Sequence, residues 1–561
     1  MELPIRRTER CGARRDRFTG WAGLTVVLIV AGAAPLAPIA AAAQDTPGAA
    51  ACERVARLAV PNATIEARVV PAGGFAGPPA PFSGRDLTAV YKSLPAFCRV
   101  SATARPSPDS DIKIEVWLPV TGWNGRLLGL GNGGFAGLID FLNLSMALRN
   151  GYAATATDAG HAGTPIDATW ALGHPEKVID FGHRGIHEMT RVAKETARAF
   201  YGEAPRRAYF AGCSDGGREA LMEAQRYPED YDGILAGAPA NDWTALLSTA
   251  VWHTQALTLD PASFIPPDRI PAIAAAVNQA CDAGDGVTDG ILTDPRQCRF
   301  DPASMQCRSG QPPATCLTEP QIVALRKIYQ GPRDAAGRQL FPGYLPGAET
   351  GDGGWALWIT GAKPAASLMA MFGQGFFSHM VHEKPDWDYR SFRIEHDLKV
   401  AMEKTARALD ATDPDLRRFA ARGGKLILYH VWQDPAIPAE STVNYYDSVV
   451  KRMGAVADAA VRLYMAPGVQ HCDGGPGPDS FGQAGDWSSD DPSRSLRAAL
   501  EQWVEKGIAP ATIVSSKYTG DEQSRAATMT RPLCPYPQVA RYKGTGNPND
   551  AASFACEAPA R

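Results

Sequence analysis

From residue 112 onward, apolar and polar positions follow the pattern of strands alternating with helices. IKIEVWLP at 112–119 alternates with period two, as a half-buried strand does, and RLLGL at 126–130 is a second apolar run. The stretch 151–158 reads as another core strand. Residues 181–201 repeat their apolar positions at helical spacing, which predicts one long amphipathic helix. A buried strand is predicted at 207–212 and a helix at 219–227, with a glycine-rich turn between them. The rhythm lapses after Gly237-Ala-Pro-Ala240 and resumes near Gly423, where 425–431 and 462–465 read as further strands. This pattern predicts an α/β fold, a mixed and mostly parallel sheet flanked by helices. The core occupies 44–240 and 414–561, and the interruption at 241–413 reads as a large inserted lid domain.

Ahead of the core, residues 1–18 hold six Arg against three acids, and 20–43 carry no charge. Ala41-Ala-Ala43 before Gln44 is a small-residue cleavage pattern, so 1–43 reads as a signal peptide. A membrane anchor is the competing reading, but Pro35 and Pro38 interrupt the apolar run. The chain is thus expected to be secreted or periplasmic, with no membrane contact once the leader is removed. Removing the leader lowers the 56 basic and 60 acidic residues to 50 and 57, a net charge near −7. No basic stripe with interleaved aromatics suggests a nucleic-acid partner. Nothing in the chain fixes an oligomeric state.

The turn at 212–216 changes the picture from fold to chemistry. Gly212-x-Ser214-x-Gly216 between a strand and a helix fits a nucleophile elbow, in which small neighbours let the backbone fold sharply past an exposed serine. The pattern also arises by chance, so it needs partners. In this architecture they follow in the order Ser, Asp or Glu, His. Asp434 lies in the loop after 425–431 and His471 in the loop after 462–465, where catalytic groups of open α/β sheets gather. Taken singly, Asp434 could open a turn before Pro435 and His471 could be one of ten ordinary histidines. Cys213 precedes the nucleophile and Cys472 follows the base, so bringing Ser214 and His471 together also brings these cysteines within bonding reach. Gly131-Asn-Gly-Gly-Phe-Ala-Gly137 follows a strand. Backbone N–H groups of Gly133 or Gly134, with that of Asp215, are its candidate oxyanion donors. Gly129, Gly131 and Gly134 also match a dinucleotide-binding spacing, without the helix and ribose-binding acid that should follow. His161, His183 and His187 read as structural, since His471 is the better candidate base.

Gly212-Cys-Ser-Asp-Gly-Gly-Arg218, the Asp434 loop and the His471-Cys472 pair together resemble the tannase and feruloyl esterase family, secreted α/β-hydrolases whose serine triad is bridged by a neighbouring disulfide. The resemblance runs from about Cys52 to Cys556. Cys11 leaves with the signal peptide and ten cysteines remain, an even number suited to an oxidising compartment. Proximity and the resemblance imply Cys52 with Cys98, Cys213 with Cys472, Cys281 with Cys298, Cys307 with Cys316, and Cys534 with Cys556. Asp282, Asp285 and Asp289 lie in one loop with three glycines, a set of hard oxygen donors suited to calcium or simply an acidic solvated turn. The resemblance implies a structural calcium here, with the Val287 and Ile291 carbonyls as further ligands.

The inserted segment is rich in aromatics. Trp355, Trp358, Phe372, Phe376 and Phe377 could line a pocket for an aromatic acyl or alcohol group, or pack the lid against the core. The expectation is a secreted serine esterase cleaving small-molecule esters of aromatic acids, hydroxycinnamic or gallic. A terephthalate monoester hydrolase is the alternative. Related enzymes of that class hold the free carboxylate with a lid arginine, whereas no Arg lies between Arg338 and Arg390 here, leaving Lys363 or Lys384. A non-catalytic polyphenol-binding protein would have no use for Ser214, Asp434 and His471 together. A metallohydrolase built on the three acids of the 282–289 loop would be chelator-sensitive and indifferent to serine reagents.

Overall fold

The alternating and continuous apolar runs pair into one nine-stranded sheet. The computed structural model describes residues 48–80, 84–347, 349–519 and 526–558, so the leader expected at 1–43 lies outside the described residues. The strands are β1 (Ala63–Val70), β2 (Phe97–Ala104), β3 (Ile112–Pro119), β4 (Arg126–Leu130), β5 (Ala153–Thr157), β6 (Arg207–Cys213), β7 (Gly233–Gly237), β8 (Lys425–Val431) and β9 (Val461–Ala466). Their order is β1-β2-β3-β5-β4-β6-β7-β8-β9. Pairs from β1 to β5 along this order are antiparallel, and all pairs from β5 to β9 are parallel. The sheet is therefore mixed and mostly parallel, an α/β-hydrolase core.

Parallel strands need crossover connections, and these cover both faces with helices. That is why the central strands are apolar throughout. In β8, Leu426 and Leu428 enter one buried layer, while Ile427 and Tyr429 enter the other. Tyr464 of β9 is also wholly buried. At this edge of the sheet, Pro535 bridges to Tyr464 and the Tyr536 N–H donates to the Leu463 carbonyl at 2.8 Å. Cys534, just before them, is tied to Cys556.

Helix starts differ from the expectations. The helix expected at 181–201 starts earlier, with an α-helical stretch Pro175–Ile179, and passes through one π-helical turn, Asp180–Arg184, before α1 (Gly185–Tyr201). Buried Arg218 explains the turn, because its guanidinium donates to the Phe181 and Gly182 carbonyls at 3.0 and 2.7 Å. The helix expected from 219 begins four residues earlier, as α2 (Asp215–Arg226). Gly216 and Gly217 are poor helix formers, but contact requires them: a Cβ at Gly217 would lie 2.2 Å from the Gly237 carbonyl oxygen.

Between β7 and β8 no described residue joins the sheet. This segment contains α3 (Trp243–Thr258) and α4 (Leu368–Phe376). Phe372, Phe376 and Phe377 share one apolar cluster with Phe135, Phe181 and Trp243. Among the described residues no helix is long and apolar enough to cross a membrane.

Candidate active site

Ser214 stands between β6 and α2 with φ 65° and ψ −122°, a conformation side-chain-bearing residues rarely adopt. It is held open by close backbone approach on both sides. A Cβ on Gly212 would lie 2.4 Å from the Gly216 carbonyl oxygen, and one on Gly216 would lie 2.8 Å from that of Asn132. The Ser214 N–H donates to Gly237 O at 3.0 Å, and its own carbonyl accepts from Ala240 N–H at 3.1 Å.

The structure brings the three candidate groups into one relay. His471 Nε2 lies 2.9 Å from Ser214 Oγ, and His471 Nδ1 lies 2.9 Å from Asp434 Oδ2 and 3.1 Å from Oδ1. With Nδ1–H donated to the carboxylate, Nε2 is left to accept the serine proton. Asp434 is buried and also accepts the backbone N–H groups of Ala436 and Ile437 at 2.8 and 2.9 Å. Burial alone would raise its pKa. His471, through its charge and hydrogen bond, and His430 overcome that and hold the carboxyl well below the usual range.

His430 was not anticipated. Its Nε2 stands 3.3 Å from Asp434 Oδ2, and its Nδ1 meets Thr442 Oγ1 at 2.7 Å. It sits inside the apolar run of β8, where spacing marks it only as a buried strand position; its distance of four residues from Asp434 is the one usable signal.

Ten cysteines form the five bridges named above, including Cys213–Cys472 with Cα atoms 6.1 Å apart. Cys472 has φ 65°, so nucleophile and base both adjoin or occupy strained backbone clamped by one covalent bond. The loop at 131–137 follows β4 against the elbow. No acceptor among the described residues takes the backbone N–H of Gly133, Gly134 or Asp215, leaving these donors available to an oxyanion.

The aromatic residues divide. Trp358 presents its ring to His471 at 4.9 Å and 70°, and stacks at 6.4 Å on Phe372, which meets Phe135. Trp355, Phe376 and Phe377, also expected to line the pocket, instead pack the interior: Trp355 against Tyr329, Phe376 against Phe377, and Phe377 on Trp387. Their large apolar area makes them core in a segment without strands. The three histidines read as structural stand away from this relay. His161, pushed down to about 4 by burial, meets the Phe135 carbonyl at 2.7 Å; His183 and His187 meet Tyr227 and Asp230. Arg390 pairs with Asp388 on the surface.

In the acidic loop, both Asp282 oxygens lie 3.0 Å from Gly290 N, Asp285 accepts from Val287 N and from Thr293, and Asp289 accepts from Ile291 N and pairs with Arg531. Three carboxylates, with the Val287 and Ile291 carbonyls, have the right donor chemistry for calcium. Several lone pairs are already used by the loop itself. Among the described residues no three His, Cys, Asp or Glu side chains are gathered closely enough to hold an ion.

This geometry can be set beside known proteins. The profile of tannase and feruloyl esterase matches residues 98–557. The chain belongs to that family. It is a carboxylic ester hydrolase. An esterase of Xanthomonas campestris pv. campestris is 39% identical over 548 residues, covering 93% of each chain. The mono(2-hydroxyethyl) terephthalate hydrolase of Piscinibacter sakaiensis is 33% identical over 540 residues, covering 84% of this chain and 86% of its own. The crystal structure of feruloyl esterase B from Aspergillus oryzae superposes with a TM-score of 0.82 at 28% identity, covering 91% of this chain and all of that one. Family membership and five disulfides together fit an oxidising, extracellular setting.

Proposed function

We propose that this enzyme cleaves esters of aromatic acids, of the hydroxycinnamic or gallic type, through an acyl-enzyme on Ser214. The observation that carries the reading is the continuous Asp434–His471–Ser214 relay at 2.9 Å per step. His471 Nε2 takes the Ser214 proton as Oγ attacks the ester carbonyl, and the imidazolium is stabilised by the ionised Asp434. Charge on the carbonyl oxygen is met by the N–H of Asp215 and that of Gly133 or Gly134. His471 then protonates the departing alcohol. Water repeats the sequence, with His471 as base, and frees the acid. Trp358 and Phe372 offer an aromatic wall beside His471 for the acyl ring. Export rests on the signal peptide read at 1–43, and N-terminal sequencing of exported protein should find Gln44 first.

The test is hydrolysis of methyl ferulate, methyl gallate and mono-hydroxyethyl terephthalate, each with and without a serine-directed phosphonate, beside Ser214→Ala. Turnover that the phosphonate and the substitution both abolish supports the reading, and the preferred ester ranks the acids. Preference for the terephthalate would move that activity ahead. No turnover of any ester, with Ser214 unlabelled, would replace catalysis by polyphenol binding.

We also propose that Asp282, Asp285, Asp289 and the carbonyls of Val287 and Ile291 hold calcium. The ion would draw together and neutralise three carboxylates of which, among the described residues, Asp289 alone has an ion-pair partner, Arg531, a structural role apart from the reaction. Elemental analysis should find about one calcium per chain and a chelator should lower Tm; metal-free protein with an unchanged Tm excludes it.

A further inference from the structure

Two hydrogen bonds fasten the glycine-rich loop to the helix that carries the nucleophile. The Gly216 N–H donates to the Asn132 carbonyl at 2.9 Å, and the Asn132 N–H donates to Glu219 Oε2 at 2.8 Å. Both sides of Asn132 are therefore set by α2. Its amide group is engaged elsewhere, Nδ2 donating to the Leu138 and Thr157 carbonyls at 3.1 and 2.9 Å. The approach is tight: a Cβ on Gly131 would lie 2.7 Å from Gly216 Cα and 3.1 Å from Glu219 Oε2.

Glu219 is an unusual occupant of its position. The residue is fully buried, and its second oxygen, Oε1, has no partner. Burying a polar group with half its capacity unmet is unfavourable, and an apolar helix former would meet the packing demand without that cost. What an apolar side chain cannot do is accept the Asn132 N–H. Asn132 immediately precedes Gly133 and Gly134, the loop donors of the oxyanion hole, and Glu219 is four residues beyond Asp215, the helix donor.

We propose that Glu219 is a positioning residue for the oxyanion hole, fixing the Gly133–Gly134 N–H groups against that of Asp215 through its bond to Asn132. It touches no substrate, and its role rests on the esterase reading above. Burial, reinforced by the charge of Asp215, pushes its carboxyl well above the ordinary range, against the opposing pull of Arg218 and the Asn132 N–H. The accepting oxygen that the Asn132 N–H meets is one that an amide on the same stem also offers.

The experiment compares wild type, Ser214→Ala, Glu219→Gln, Glu219→Leu and Glu219→Asp on methyl ferulate. Rates are expressed per phosphonate-titrated site, or per chain for Ser214→Ala, which has no such site, with Tm recorded for each. Glu219→Gln is expected within about threefold of wild type. Glu219→Leu should lose about 10–100-fold in kcat with KM nearly unchanged, less than the 10²–10³ that follows outright removal of an oxyanion donor. A purely structural role would lower Tm and the number of titratable sites while leaving kcat per site intact. If Glu219→Leu does not fold, the Gln and Asp variants decide: Asp, whose shorter stem withdraws the acceptor, should fall at least tenfold below Gln. Equal rates for Gln and Asp, or full kcat in folded Glu219→Leu, overturn the proposal. Wild type without Ser214-dependent turnover instead overturns the esterase reading itself.

Discussion

Removing the Cys213–Cys472 bridge, as Cys213→Ala with Cys472→Ala, should damage stability and catalysis by separate routes. The bond spans 259 residues. In the chain-entropy model, closing a loop of that length contributes about 5–6 kcal/mol, and the two short bridges lying inside it change the figure by only about 0.1 kcal/mol. A loss of that size is a large part of the roughly 5–15 kcal/mol that holds an ordinary domain folded. Catalysis suffers because Ser214 and Cys472 both have positive φ, each a strain of about 1–3 kcal/mol that persists only while the surroundings enforce it. Freed of the bond, the His471 loop can relax, and a displacement of about 1 Å costs on the order of 100-fold in rate. Urea unfolding followed by circular dichroism measures the first effect, and kcat on methyl ferulate for the folded fraction measures the second. The control is Cys307→Ala with Cys316→Ala. That bridge spans nine residues, so its loss should cost about 2–3 kcal/mol and leave kcat unchanged. If the Cys213–Cys472 variant unfolds within 1 kcal/mol of wild type and keeps kcat within twofold, the clamp argument is wrong.

Other outcomes follow from the same geometry. Asp434→Asn should keep the fold yet reduce kcat by about 10³–10⁴, since an amide cannot stabilise the imidazolium; a loss under tenfold would remove Asp434 from the relay. Asp158 and Asp410, both raised to about 7, the first mainly by burial and the second by burial and then by Asp242, hold protons that the unfolded chain releases near pH 4. Their contribution to stability should therefore fall as pH rises from about 4 to 7 and level off above, opposite in sign to that of His161, which burial lowers to about 4. Asp410→Asn should make the change in urea midpoint from pH 5 to pH 8 more positive than in wild type; an unchanged pH dependence contradicts the assignment. Trp358→Ala should raise KM for methyl ferulate several-fold with a smaller change in kcat, and an equal KM would detach this ring from substrate binding.

Much of the site was legible because its signals are local. The elbow needs glycine on both sides of Ser214, and its partners must follow β8 and β9, so spacing and strand order were enough. The cysteines added a second constraint that named the same loops. His430 and Glu219 were invisible for a common reason: each lies within a regular element whose periodicity accounts for it, and only the tertiary approach of another loop gives it a polar task. The aromatic residues of the insert were ambiguous for another reason. Trp355 and Trp358 are three apart in sequence, yet one packs on Tyr329 and the other faces His471. The π-helical turn before α1 also had no local cause, since the group that draws on its carbonyls is Arg218, on another helix.

The contact of Pro535 and Tyr536 with β9 bears on how the sheet ends. An outermost strand with free N–H and carbonyl groups is a template on which another molecule can add its own strand. Here the segment held by Cys534–Cys556 lies over part of that ladder. Proteolytic trimming before Cys534 would uncover a buried-type, apolar margin without touching Ser214, Asp434 or His471. Such a product should associate through that edge as its concentration rises, which sedimentation of the trimmed protein would show.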